Sequence, residues 1–127
     1  MMMEELVRKV TPMMVLPDIL PVQRQYEALG FELITTEHPG CVGLRAGKTA
    51  LMLLSVELMQ KDFKQSTVAP LIGSTVPYIN VTSLHQAKLR LEPSAMVVEE
   101  AFTEGGTREA VVVQHGQFLI LAERLPD

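Results

Sequence analysis

The stretch VTPMMVLPDILPVQRQYEALGFELITTE, Val10 to Glu37, decides how this sequence is interpreted. It begins with a short apolar run, passes through Pro-marked residues into an amphipathic segment, and ends after Leu-Gly-Phe in a second β-rich run. Asp18 is a good N-cap for a helix that runs to about Leu29. Apolar residues at i, i+4 and i+7 predict one buried stripe on that helix. The stripe comprises Val22, Tyr26 and Leu29.

The same order of elements recurs in the second half of the sequence. The segment VPYINVTSL corresponds to TPMMVLPDI, so that Pro77 aligns with Pro12. The segment GQFLILAER corresponds to GKTALMLLSVE, so that Gly116 aligns with Gly47. A second helix is predicted to start at Ser83 and to end before Pro93. Most of the other runs are short and rich in β-branched or large apolar residues, a composition typical of strands.

These patterns predict one α+β domain, residues 1–127, built from tandem βαβββ modules that form a curved mixed sheet. The first module is predicted at residues 10–57 and the second at 75–124. Residues 58–74 form a linker with a short helix near VELMQKDF. One such module alone buries too little surface to be stable, so two modules are expected to join edge to edge or to swap between chains.

Composition excludes several classes of protein. The net charge is −4 and the 11 Lys and Arg are scattered, which argues against nucleic acid and anionic membranes as partners. No apolar run is long enough to span a bilayer, and the N-terminal residues lack the apolar core of a signal peptide. Cys41 is the single cysteine, so no intrachain disulfide forms and a cytoplasmic location is expected.

The tandem repeat with LGFEL after its first helix resembles the vicinal oxygen chelate superfamily, which includes glyoxalases, bleomycin resistance proteins and dioxygenases. The segments that carry the resemblance are residues 11–33 and GGTREAVVVQHGQFLILAE, residues 105–123. They are most similar to the metal-free, bleomycin-resistance-like branch. In that branch the last hairpin has a longer acidic turn, which Gln114-His115-Gly116 replaces here. The resemblance implies a cup-shaped cleft, a homodimer and the binding of a small molecule.

In metal-using members of this superfamily, His or Glu ligands lie on the first and last strand of each module. Carried over to this sequence, those positions fall on Thr11, Met52, Val76 and Ile120. A divalent metal needs deprotonatable N, O or S ligands, and these four side chains supply none. The sequence therefore predicts no metal and no cofactor.

Strand alternation then predicts which side chains face the implied cleft. They form a largely apolar lining with a few polar groups, which suits a small hydrophobic or aromatic molecule. The predicted ligand-binding residues are Thr11, Met13, Met52, Leu54, Tyr78, Asn80, Glu109, Phe118 and Ile120, with Arg45 as a further polar candidate. Apolar residues at this spacing are as often simple core. Likewise, a surface ion pair is a plain alternative for Arg108 and Glu109.

No catalytic constellation can be recognised from spacing. His38, His85 and His115 lack partners at metal-ligand spacing, and an ordinary strand-start cysteine is the expected role of Cys41 despite its nearness to His38. The RAGKT segment at residues 45–49 lacks the upstream glycine and following helix of a phosphate-binding loop.

Three functional hypotheses remain from the sequence. The first is a metal-free binding protein of the superfamily. The second is an enzyme, a glyoxalase-like lyase or isomerase or a dioxygenase, with ligands recruited from His38, Glu57, Glu109, His115 or Glu123. In the third, the repeat is coincidental and the chain is another α+β dimer with an interaction role.

Overall fold

The computed structural model describes residues 5–36 and 38–126. The strands are β1 Val7–Leu16, β2 Glu32–Thr35, β3 Cys41–Ala46, β4 Thr49–Ser55, β5 Thr75–Val81, β6 Met96–Phe102, β7 Thr107–Gln114 and β8 Gln117–Arg124. The helices are α1 Leu20–Ala28, α2 Val56–Met59, α3 Gln65–Val68 and α4 Leu84–Leu89, with a 3-10 turn at Ala69–Leu71.

The described chain divides into two compact units. The first unit is Thr11–Val76, and the second comprises residues 5–10 together with residues 77–126. Strand order is β2-β3-β4-β1 in the first half and β5-β8-β7-β6 in the second. Each half therefore has the predicted βαβββ order with mixed strand pairing, and the predicted α+β fold class is confirmed.

In the first unit, helix α1 packs against one face of the strands. β1 runs parallel to β4, with Met13 opposite Met52, while β4, β3 and β2 pair antiparallel. The core beneath α1 contains Val42, Leu44 and Leu53, and Val22 and Tyr26 of the helix pack against it. Alternating apolar residues on these strands account for the face that is buried beneath α1, and Met13 and Val15 are buried on the opposite face.

The predicted stripe on α1 is wrong at its last residue. Leu29 is 72% exposed, because α1 ends at Ala28 and the chain turns through Gly30 at a φ of 105°. Phe31 takes the expected place and meets the Tyr26 ring edge-on, with 5.1 Å between ring centroids. The predicted N-cap is also wrong by one residue, because the N-cap of α1 is Ile19 and has no capping side chain. Asp18 Oδ1 accepts a hydrogen bond from the backbone N–H of Leu20 at 3.2 Å, just before the helix.

The segment after β4 contains more ordered structure than the predicted single short helix. Ser55 caps α2 by accepting from the backbone N–H of Leu58 at 3.0 Å, and α2 ends at Met59. The backbone of Val15 accepts from Gly73 N at 2.8 Å and donates to Ser74 O at 3.2 Å, so the end of this segment pairs with β1. Its buried apolar side chains are Met59, Phe63, Val68 and Leu71.

In the second unit, helix α4 covers one face of the strands. β5 runs parallel to β8, with Tyr78 opposite Ile120, and β7 pairs antiparallel with both β8 and β6. Ser83, the predicted start of this helix, is its N-cap, and its Oγ accepts a hydrogen bond from Gln86 N at 3.1 Å. The core under α4 contains Val81, Leu84, Ala87, Ala110, Val112 and Leu121.

The hairpin between β7 and β8 has a two-residue turn. Gln114 lies opposite Gln117, and the two residues between them, His115 and Gly116, have φ of 52° and 74°. Two consecutive positive φ values define a type I′ turn, whose twist matches that of the flanking strands. The short turn therefore closes the hairpin without the acidic residues of the longer version.

Candidate functional site

The face of the second unit opposite α4 carries most of the predicted polar side chains. Val81 and Leu121 belong to the core under α4. Because side chains alternate along a strand, Tyr78 and Asn80 of β5 point to the other face. Glu109 and Ile120 share this orientation, since Glu109 pairs with Ala122 and Ile120 with Tyr78. We call this surface the helix-free face of the second unit.

A chain of hydrogen bonds crosses this helix-free face. The Tyr78 hydroxyl donates to Glu109 Oε2. The Thr107 hydroxyl donates to the same oxygen at 2.7 Å. The Thr103 and Thr107 hydroxyl oxygens lie 2.6 Å apart. All four residues are partly buried, so the carboxylate of Glu109 is held by oriented donors.

The remaining predicted residues of the second unit are apolar or amide side chains on the same face. Ile120 is 1% exposed, whereas Phe118 and Asn80 are half-buried. Phe118 lies opposite Val113 in the β7–β8 pairing. The structure thus brings Tyr78, Asn80, Glu109, Phe118 and Ile120 onto one face of one unit, and it supplies polar neighbours for Tyr78 and Glu109.

The four predicted residues of the first unit also share a face. Met14 and Leu53 pack under α1, so by alternation Met13 and Met52 point away from that helix. Met13 is 1% exposed, while Thr11, Met52 and Leu54 are half-buried. Arg45, the further polar candidate, is largely exposed and pairs with Glu32 at 3.0 Å.

The positions that correspond to metal ligands do not fit a metal ion. Met52 and Ile120 occupy equivalent registers, each opposite a residue of the first strand of its own half, Met13 and Tyr78. Thioether and alkyl side chains there offer no ligand for a hard or borderline divalent ion. Across the part of the chain that the structure describes, no group of three or more His, Cys, Asp or Glu side chains could hold a metal.

Two of the residues considered as recruited ligands have other partners. Glu123 Oε1 accepts from the backbone N–H of Leu84 at 2.7 Å, at the start of α4. His115 Nε2 lies 2.8 Å from Glu92 Oε2 on the exposed surface. His38 and Glu57 do share a cleft of about 330 Å³ in the first unit, and Asp18 also lines this cleft.

Arg108 and Glu109 are adjacent in β7 and point to opposite faces. Arg108 Nε lies 2.8 Å from Glu100 Oε1, and its guanidinium carbon lies 5.6 Å from the centre of the Phe102 ring. Lys88 Nζ approaches the same Glu100 at 3.1 Å. Arg108 thus forms a surface ion-pair cluster on the α4 side, whereas Glu109 belongs to the helix-free face.

Sequence reasoning missed two sets of residues near this face. Thr107 could have been found, because it is two residues from Glu109 and alternation places both on one side. Thr103 lies between β6 and β7, outside any strand, so strand alternation in the sequence did not point to it. A cleft of about 590 Å³ lined by Arg8, Lys9 and Arg124 was also missed, since these cations are far apart in sequence.

The two βαβββ halves give the chain the fold of the vicinal oxygen chelate superfamily. A glyoxalase/bleomycin resistance protein/dioxygenase superfamily member from Vibrio splendidus 12B01 superposes with a TM-score of 0.56 at 16% identity, over 92% of this chain and 98% of that one. Methylmalonyl-CoA epimerase from Mycobacterium tuberculosis superposes with a TM-score of 0.61 at 15% identity, over 99% and 94%. The resemblance drawn from the sequence is therefore confirmed for the fold.

Comparisons by sequence add no closer relationship. No family model matches the sequence, and no curated protein matches it. Within residues 5–36 and 38–126, no helix is both long and apolar enough to cross a membrane.

Proposed function

We propose that this chain binds a small hydrophobic or aromatic molecule in an apolar cleft without a metal ion. The proposed contacts lie on the strand face away from α1 in the first unit and on the strand face away from α4 in the second. They are Thr11, Met13, Met52 and Leu54 in the first unit, and Tyr78, Asn80, Glu109, Phe118 and Ile120 in the second.

The observation that carries this proposal is the hydrogen-bonded pair of Tyr78 and Glu109 on a face that also holds the apolar side chains of Phe118 and Ile120. Small-molecule sites combine apolar and aromatic walls with a few fixed polar groups that orient the ligand. Tyr78 offers an aromatic surface for stacking while its hydroxyl remains bound to the carboxylate. A ligand with a ring and one hydrogen-bonding group would match this arrangement.

Metal-free binding is supported by the side chains at the ligand-equivalent positions. Thr11, Met52, Val76 and Ile120 would have to be replaced by His, Glu or a similar ligand before a standard site of the superfamily could form.

The proposal includes a homodimer that works in the cytoplasm. β6, the last strand in the order of the second half, exposes a row of large apolar side chains. An exposed apolar edge strand is a template for pairing with another chain. Equilibrium sedimentation should therefore show a dimer, and Val97→Lys should weaken it; a monomeric wild type would contradict this part. The exposed residues are Met96, Val97, Val98 and Phe102.

The test of the main proposal is a thermal-shift screen of chelator-treated protein against Zn²⁺, Ni²⁺, Mn²⁺ and Fe²⁺ and a panel of small aromatic compounds. A compound that binds only the native state at 100 times its Kd adds about 2.7 kcal/mol of stability. We expect such a shift from an aromatic compound and none from a metal. A comparable shift with a metal alone would overturn metal-free binding.

A matched pair of variants then locates the site. Tyr78→Phe removes a hydroxyl from the helix-free face, and Tyr26→Phe makes the same change on α1 of the first unit. We expect Tyr78→Phe to weaken the compound found in the screen and Tyr26→Phe to leave its affinity unchanged. Equal affinities in both variants would show that the hydrogen bond from Tyr78 to Glu109 has no part in binding the compound.

The second candidate function is an enzyme, a glyoxalase-like lyase or isomerase or a dioxygenase, with a non-standard metal site. The observation that favours it is the cleft that His38 and Glu57 both line. The described residues provide no third His, Cys, Asp or Glu side chain in a position to complete a metal site there. If this function is correct, an added metal ion should raise the melting temperature of the wild type, and His38→Ala should abolish that increase. Without that stabilisation the enzyme hypothesis has no site.

A further inference from the structure

A basic cleft lies in the second unit where β5 and β8 end. Its volume is about 590 Å³, within the range of small-molecule sites. Arg8 and Lys9 come from the start of β1, and Arg124 is the last residue of β8. The other lining residues are Asn80, Val81, Thr82, Ala122 and Glu123.

The three cations of this cleft have no carboxylate partner within residues 5–36 and 38–126. Among the described residues, none of Arg8, Lys9 and Arg124 forms an ion pair, although the whole chain has an acidic excess with a net charge of −4. Glu123 is the one carboxylate among the lining residues, and it accepts a hydrogen bond from Leu84 N at 2.7 Å. Cations left unpaired around a concave surface concentrate positive potential there.

We propose that this basic cleft binds the anionic group, a carboxylate or a phosphate, of a small molecule. Arg side chains present a planar fork of donors that fits both kinds of oxyanion, and Lys adds a compact charge. The Asn80 amide and the Thr82 hydroxyl supply further donors at the same cleft.

Strand alignment places part of the basic cleft next to the helix-free face. Asn80 lies opposite Ala122 in the β5–β8 pairing, and Arg124 is two residues further along β8. Alternation therefore directs Arg124 to the same side as Asn80, Tyr78 and Glu109. Arg8 and Lys9 are consecutive in β1 and project to opposite sides, so their contributions are separable by mutation.

This inference goes beyond the proposed function and shares only Asn80 with it. Inorganic phosphate has no apolar part, so its binding reports on the basic cleft alone. Failure of phosphate binding would leave the proposed aromatic site untouched, and failure of the aromatic screen would leave the anion site untouched.

The test uses the ¹⁵N-labelled full chain in NMR titrations with inorganic phosphate, benzoate and benzylamine at constant ionic strength. We expect saturable shifts of the amide signals of residues 8–9, 80–82 and 122–124 with phosphate or benzoate. Benzylamine has the ring of benzoate with a positive charge, and we expect it to leave these signals unshifted.

Charge-matched variants distinguish a specific anion-binding site from nonspecific electrostatic attraction to the protein. Arg8→Gln, Lys9→Gln and Arg124→Gln each remove one positive charge from the cleft. Arg24→Gln and Lys48→Gln remove the same charge from exposed positions that do not line it. Losing a charged hydrogen-bond donor should weaken anion binding about tenfold or more.

Anion binding at the basic cleft is supported if Arg124→Gln and at least one of Arg8→Gln and Lys9→Gln weaken binding tenfold while both control variants bind as the wild type does. It is overturned if neither anion gives saturable shifts in the wild type, or if the control variants lose as much affinity as the cleft variants. The melting temperatures of all five variants should stay near that of the wild type, which shows that the substitutions do not unfold the protein. Asn80→Ala tests the contribution of a neutral lining residue to anion binding.

Discussion

Tyr78 of β5 reaches across β8 to donate its phenolic hydrogen to Glu109 of β7. The hydrogen bond joins two strands that are not neighbours in the sheet. It also fixes the orientation of a carboxylate that Thr107 holds from a second direction at 2.7 Å.

The coupling between these two side chains is measurable. Tyr78→Phe should lower the free energy of unfolding by about 1–3 kcal/mol, because a hydrogen bond to a carboxylate is lost. Glu109→Gln should cost a similar amount. In a double-mutant cycle by urea unfolding, the double variant should lose less than the sum of the single losses. Additive losses would show that the two side chains do not interact.

Glu123 should stabilise α4 and have no role in metal binding. Glu123→Ala removes the acceptor of the Leu84 N–H and should cost about 0.5–2 kcal/mol, as for lost helix caps. Glu123→Gln retains an acceptor oxygen and should cost less. Urea unfolding with chelator and with Zn²⁺ measures both effects. A metal-induced stabilisation that vanishes in both variants would instead assign Glu123 as a metal ligand.

Gly40 should be intolerant of alanine because its neighbours leave no room. A Cβ at Gly40 would lie 2.6 Å from Ser55 Oγ and 3.1 Å from Leu58 Cβ. Gly40→Ala should therefore destabilise the fold by about 1–3 kcal/mol through overpacking. Combining it with Ser55→Ala removes the first of these contacts, so thermal unfolding should show a double loss smaller than the two single losses together. A fully additive double variant would contradict this explanation.

The type I′ turn should depend on Gly116. Gly116→Ala places a Cβ on a residue at φ 74° and should cost about 1–2 kcal/mol. Gly105→Ala is the matched control, because its φ is outside the left-handed region and its nearest contact would be Thr103 Oγ1 at 3.7 Å. Calorimetry of both variants measures the difference. Equal melting temperatures would show that the turn tolerates L-residues at both positions.

The sequence predicted the βαβββ order because strand and helix periodicities are local properties. Ser83 was identifiable as the start of α4 for the same reason, whereas the predicted cap Asp18 lies one residue before the N-cap of α1, Ile19. The predicted burial of Leu29 was wrong because periodicity does not show where a helix ends. Here α1 ends at Ala28, and Gly30 turns the chain away from the helix axis. Phe31, which follows this glycine, packs against Tyr26 in the position predicted for Leu29.

The candidate site was predictable only in part. Alternation from Pro77 onward was enough to assign Tyr78 and Asn80 to one orientation, and Glu109 was among the polar candidates. The partner of each polar group depends on strand register, which the sequence leaves open until the pairing is known. For this reason the Tyr78–Glu109 hydrogen bond and the grouping of Arg8 with Arg124 became visible only in three dimensions.

The pairing of Val15 with Gly73 and Ser74 has a counterpart in the second half of the chain. The backbone N–H of Thr82, the residue after β5, donates to Leu6 O at 2.9 Å, so the first strand of each half is completed by a segment outside its own helix and last three strands. Residues 5–10 therefore belong to the second unit although they are distant from it in sequence. A gene split between β4 and β5 would separate the second half from residues that complete its first strand, whereas a split that keeps residues 5–10 with residues 77–126 would preserve both pairings.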